Sequence, residues 1–67
     1  MITYARNSAA RMFSMNRTEV RIWNVLHEGP LEAAEIAKRL HGVDYFEIMD
    51  ALYNMAHNGD IKPITED

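Results

Sequence analysis

At 67 residues the chain is read as one domain, near the lower limit for a self-sufficient core. It has no cysteine, which excludes a disulfide or thiolate-metal staple, and its 48% apolar content suits a globular core and is too high for a disordered tail. The net charge of −3 conceals a polarity: residues 1–24 carry four arginines against Glu19, a balance of +3, while residues 25–67 carry three bases against nine acids, a balance of −6. A duplex-reading element normally carries a basic patch, and here the basic part is the start of the chain.

Residues 1–15 are expected to form an N-terminal arm and residues 16–67 the folded domain. The arm opens with an extended MITYAR, after which Ser8 can cap a short helix over residues 9–13. Met12, Phe13 and Met15 would then cover part of the core or make a subunit contact. Met1 and Ile2 are soon followed by polar residues and arginines, which is not a signal-peptide pattern, and no apolar run reaches the length of a membrane span. A cytoplasmic protein with no membrane partner is the expectation.

An apolar residue, a cap position, two residues, Glu and a second apolar residue then recur three times: Met15 to Val20, Leu31 to Ile36 and Val43 to Ile48. In each, Glu at the third helical position can reach back to the cap residue's N–H while the apolar pair staples the start of the helix. Asn16 and Asp44 are good caps and Glu32 is a poor one. Gly29, Gly42 and Gly59 stand where helices would stop, each preceded within two residues by His27, His41 or His57, a placement that favours a cation at a helix C-terminus. Helices are therefore predicted over 17–28, 32–41 and 45–58. Their apolar faces offer Val20, Ile22, Trp23, Val25 and Leu26, then Ile36, Ala37 and Leu40, then Ile48, Ala51, Leu52, Met55 and Ala56. A core of Trp23, Leu26, Ile36, Leu40, Ile48 and Leu52 follows. Pro30-Leu31 favours an extended link, and Ile61 with Ile64 can form a short strand. The eight residues after Gly59, interrupted by Pro63, are too few for a two-stranded wing.

Asn16 to Leu26 as a first helix, AEIAKRL as a support helix, the Gly42-Val43-Asp44 turn, FEIMDALYNM as a recognition-type helix and Asn58-Gly59-Asp60-Ile61 carry a resemblance. Residues 15–61 resemble the winged-helix/helix-turn-helix domains of small transcriptional regulators, at the level of the superfamily. The resemblance implies an all-α fold, or α with a minimal β element: a three-helix winged-helix-like domain with a truncated wing and an N-terminal arm. It also implies a regulatory role. DNA-reading members place Arg, Lys, Ser, Thr, Asn or Gln at the exposed start of the third helix, where this chain has Tyr45, Phe46, Met49 and Asp50. Glu32 replaces the usual small polar cap of the support helix.

Two function classes follow. In the first, the protein is a non-enzymatic regulator acting through protein contacts, with itself as a homodimer or with a partner protein, made by helix three and the arm. Tyr45, Met49 and Tyr53 lie at i, i+4 and i+8, with Phe46 beside them and Asp50 at the edge, a set that reads either as core or as an interface centre. Asp44, Glu47 and Asp50 read either as caps and solvated charges or as a field that repels phosphate and attracts a basic partner. In the second class, a dimeric DNA-binding regulator contacts duplex through Arg6, Arg11, Arg17, Arg21, Lys38 and Arg39, with the arm and helix one doing more than helix three. Nothing in the chain has the spacing of a metal site, a nucleophile elbow or a phosphate loop. No catalytic residue, cofactor, metal or small-molecule substrate is therefore expected.

Overall fold

The computed structural model describes residues 1–7 and 15–65, and the short helix expected over residues 9–13, with Ser8, Arg11, Met12 and Phe13, lies outside them. The domain begins to take shape at Asn16. Its side-chain oxygen accepts the Glu19 N–H at 2.9 Å, and the Glu19 carboxylate accepts the Asn16 N–H at 2.9 Å, so two orphan donors of the first turn are satisfied reciprocally. Helix α1 runs over Arg17–Val25 and tightens into a 3-10 turn at Leu26–Glu28. The chain then passes through an extended Pro30-Leu31 into α2, Ala33–Arg39, and from there through a turn into α3, Tyr45–His57. All three helices lie where the spacing predicts, α2 and α3 within a residue or two at their ends and α1 three residues short of the predicted end, where Leu26–Glu28 tighten into the 3-10 turn.

The other two capping boxes do not form. Glu32 makes no side-chain cap, and Glu35 instead faces Lys38 at 3.9 Å and Arg39 at 3.8 Å. Asp44, expected to cap α3, makes no side-chain cap either. Its expected partner Glu47 is taken by Thr18, whose hydroxyl donates to the carboxylate at 2.6 Å across the α1–α3 contact. A charge-assisted O–H···O⁻ bond of that length outcompetes a reach-back to the cap backbone. The end of α3 is better built. The Gly59 N–H reaches the Ala56 carbonyl at 3.2 Å and the Asp60 N–H reaches that of Met55 at 2.8 Å, a Schellman closure that needs the positive φ of 82° at Gly59.

The residues after that closure form β2, Ile61–Thr65, and its partner comes from the far end of the chain. Strand β1, Ile2–Arg6, pairs antiparallel with β2, from Ile2 opposite Thr65 to Arg6 opposite Ile61. The predicted extended MITYAR thus supplies the strand that the short stretch after Gly59 cannot. Tyr4 exchanges two backbone hydrogen bonds with Leu31, at 2.8 and 3.1 Å, while Asn7 N–H bonds the Asp60 carbonyl at 2.9 Å. Even positions of β1 therefore turn their amides towards Leu31 and odd positions turn theirs towards β2. Pro63, opposite Tyr4, falls at a non-hydrogen-bonded position with its nitrogen on the outer edge, so its missing N–H costs the ladder nothing.

The core consists of Ile22, Leu26, Ile36, Leu40, Ile48, Ala51, Leu52, Met55 and Ile61. Five of the six expected core residues are in it. Trp23 is the correction: Ile22 and Leu26 take the inward face of α1, which turns Trp23 about 100° away to a half-buried place at the edge, where Arg6 of β1 covers it with its guanidinium carbon 4.4 Å from the ring centre. The Arg6 Nε–H also donates to the Trp23 carbonyl at 2.9 Å, so one arginine ties the strand to α1 twice. The result is a mostly helical domain of three helices and a two-stranded antiparallel sheet. Among the described residues no helix is long and apolar enough to cross a membrane.

Candidate interaction surface

Helix α3 has two faces of very different character. Ile48, Leu52 and Met55 are sealed in the core, which fixes the rotation of the helix. Residues two positions earlier lie about 200° around the axis, on the outer side. There Phe46 is 75% exposed and Tyr53 is 73% exposed, with Asp50 and His57 exposed in the same row. The row is internally organised. Tyr53 stacks on His57 with ring centres 6.3 Å apart and planes 10° from parallel, and Tyr45 meets Phe46 edge to face at 6.5 Å.

The outer row is therefore Phe46, Asp50, Tyr53 and His57, and not the Tyr45, Met49, Tyr53 stripe expected from the sequence. Tyr45 is 47% exposed and borders the row, whereas Met49 is half-buried and packs against the core. The cause is a rotation set by three long apolar residues at positions 48, 52 and 55, which draws position 49 inward. His57 was missed because a histidine before a glycine is already explained by the helix end. The signal that could have found it is its spacing of four from Tyr53, on the side opposite Met55.

Acids surround the row. Asp44, Glu47 and Asp50 are exposed, and α3 contains no lysine or arginine. Four of the described bases, Arg6, Arg21, Lys38 and Arg39, are engaged elsewhere. Arg6 is committed to Trp23, and an Arg21 Nη2–H donates to the His41 carbonyl at 3.1 Å. Arg39 pairs with Glu28 at 2.5 Å, and that hydrogen-bonded carboxylate raises its pKa above the ordinary arginine value. Lys38 lies by Glu35, Arg17 is exposed at the start of α1, and Arg11 lies outside the described residues. The six bases considered for a duplex contact are thus not gathered on one element. Among the described residues no group of three His, Asp or Glu side chains could share a metal ion.

No family model, no curated protein and no solved structure matches this chain.

Proposed function

We propose that this is a small non-enzymatic regulatory protein, winged-helix-like in plan, whose third helix binds protein. The plan rests on the succession of three helices, an extended bridge at Leu31 between the first two, and a strand directly after the third. In this reading β1 stands in for the second strand of a wing, pairing antiparallel with β2. The observation that carries the function is the outer row of α3, with two aromatic side chains about three-quarters exposed. Folding does not require Phe46 and Tyr53 there, and large exposed aromatics are what interface centres use. The acids Asp44, Glu47 and Asp50 oppose the phosphate attraction on which a duplex-reading helix depends.

The test places a photo-crosslinking amino acid at Phe46, with a control at Lys62 on the exposed part of β2, and asks in cells what is captured. The expected result is protein captured from position 46 alone. Fluorescence anisotropy with duplex DNA supplies the counter-test. Duplex binding that falls steeply with salt and weakens in Arg17→Ala/Arg21→Ala, with no protein captured from position 46, overturns the proposal in favour of a DNA-binding regulator.

A further inference from the structure

The turn that ends α3 contains the dipeptide Asn58-Gly59, with Asn58 exposed and Gly59 half-buried. An asparagine carboxamide before a glycine is open to attack by the glycine's own backbone nitrogen, because no Cβ shields that nitrogen. The chain's other asparagines, Asn7, Asn16, Asn24 and Asn54, all precede residues with side chains. Among the described residues no atom beyond its chain neighbours lies within 4 Å of where a Gly59 Cβ would stand, so the approach is not crowded. It is held off by the backbone instead. Asn58 has a helical ψ of −5°, which turns its Cβ, and the carboxamide beyond it, away from the Gly59 nitrogen. The Gly59 N–H is also held by the Ala56 carbonyl at 3.2 Å, and the Asp60 N–H by that of Met55 at 2.8 Å. Rotating Asn58 into a ring-closing geometry gives up both bonds, so the chemistry waits on local opening of the helix end.

We propose that Asn58-Gly59 is a site of spontaneous deamidation that the fold keeps latent, and that its isoaspartate product prevents the end of α3 from closing again. Water is the only co-reactant. The Gly59 nitrogen loses its proton and bonds to the Asn58 Cγ, and the side-chain nitrogen takes up a proton and leaves as ammonia. A succinimide ring remains. Water opens one of its two C–N bonds, giving aspartate by one route and isoaspartate by the other. Isoaspartate carries the chain through its side chain and so adds one methylene to the backbone between α3 and β2. The structure has little room to absorb it. Asp60 and Ile61 are 3% and 1% exposed, and the Asp60 carbonyl accepts the Asn7 N–H at 2.9 Å while its own N–H is fixed to Met55. The new carboxylate also stands at the C-terminus of α3, where the helix dipole disfavours an anion. A transient opening is thereby made permanent, whatever α3 binds.

The experiment incubates the full chain in mildly alkaline buffer, with and without denaturing urea, and follows deamidation by tandem mass spectrometry that separates aspartate from isoaspartate. Asn58 reacts first among the asparagines in urea, and at least ~10-fold more slowly in the folded chain. Asn58→Gln, whose longer side chain would have to close a larger ring, stays unmodified at that position. Asn58→Asp carries the new charge without the methylene. In urea titration followed by circular dichroism, the purified isoaspartate form therefore unfolds at a lower urea concentration than Asn58→Asp does. Equal rates at Asn58 in the folded and unfolded chain overturn the latency, and another asparagine reacting ahead of Asn58 in urea overturns the site. An isoaspartate form as stable as Asn58→Asp overturns the proposed consequence.

Discussion

Thr3 carries a buried hydroxyl with no hydrogen-bond partner, in the middle of β1 opposite Ile64. The residue is 9% exposed, so water gives its oxygen little compensation. Leaving a buried hydroxyl unpaired costs about 1–3 kcal/mol, and the extra methyl that replaces it in Thr3→Val adds about 0.8 kcal/mol of apolar burial. Residual water access and fit reduce the sum, and we expect Thr3→Val to stabilise the domain by about 1–2 kcal/mol. For a domain of this size each kcal/mol moves the melting temperature by roughly 4–8 °C. Thr3→Ser keeps the hydroxyl and removes the methyl, so it should melt lower than wild type. Thermal and urea denaturation followed by circular dichroism measure both variants. If Thr3→Val is destabilising while Thr3→Ser matches wild type, the hydroxyl has a partner and the reasoning is wrong.

Leu52→Ala, at a side chain 1% exposed in the centre of the core, should cost about 2–5 kcal/mol and leave so small a domain largely unfolded by circular dichroism at room temperature. Asn16→Ala removes one half of the only formed capping box among the described residues and should lower stability by about 1 kcal/mol in urea titration, while Asp44→Ala should cost less, since Asp44 caps nothing by its side chain. Arg6→Ala should detach β1 from α1 and shift the Trp23 fluorescence towards that of a solvent-exposed indole, with Arg6→Lys only partly restoring it because a lysine lacks the guanidinium's planar stacking face.

Much of the helical frame was legible because it is written locally. Asn16 and Glu19 sit three residues apart and recognise each other's backbone, and the glycines mark the ends of helices through a conformation that other residues avoid. Ile48, Leu52 and Met55 announce the buried face of α3 by their spacing alone. What local pattern could not show is which distant groups compete for a side chain. Glu47 fits a capping box on paper, but Thr18 lies 29 positions away in sequence and across a helix contact in space. The pairing of Ile2–Arg6 with Ile61–Thr65 is hidden for the same reason, since neither strand carries the other's address. Trp23 reads as a core residue, and the Arg6 that covers it at the edge comes from a strand apart from α1 in sequence. On the outer face, spacing named Phe46, Asp50 and Tyr53, and only the helix rotation shows that His57 continues their row in place of Met49.

The antiparallel pairing of β1 with β2 sets Ile2 beside Thr65, so the described chain leaves the domain as two neighbouring strands on the same side. This arrangement decides how the domain bears mechanical load. A pull applied through residues 2 and 65 acts across the ladder at its open end, and the bonds at Thr3 and Ile64 take the whole force before the next pair feels any. The strands peel one rung at a time, and the sheet yields at low force even though the helical core behind it is undisturbed. A pull through Arg6 and Thr65 would instead load the rungs together in shear. The domain therefore parts first between Ile2 and Thr65, while the Tyr4–Leu31 bonds, the Arg6 clamp on Trp23 and the Asn7–Asp60 bond give way only after it.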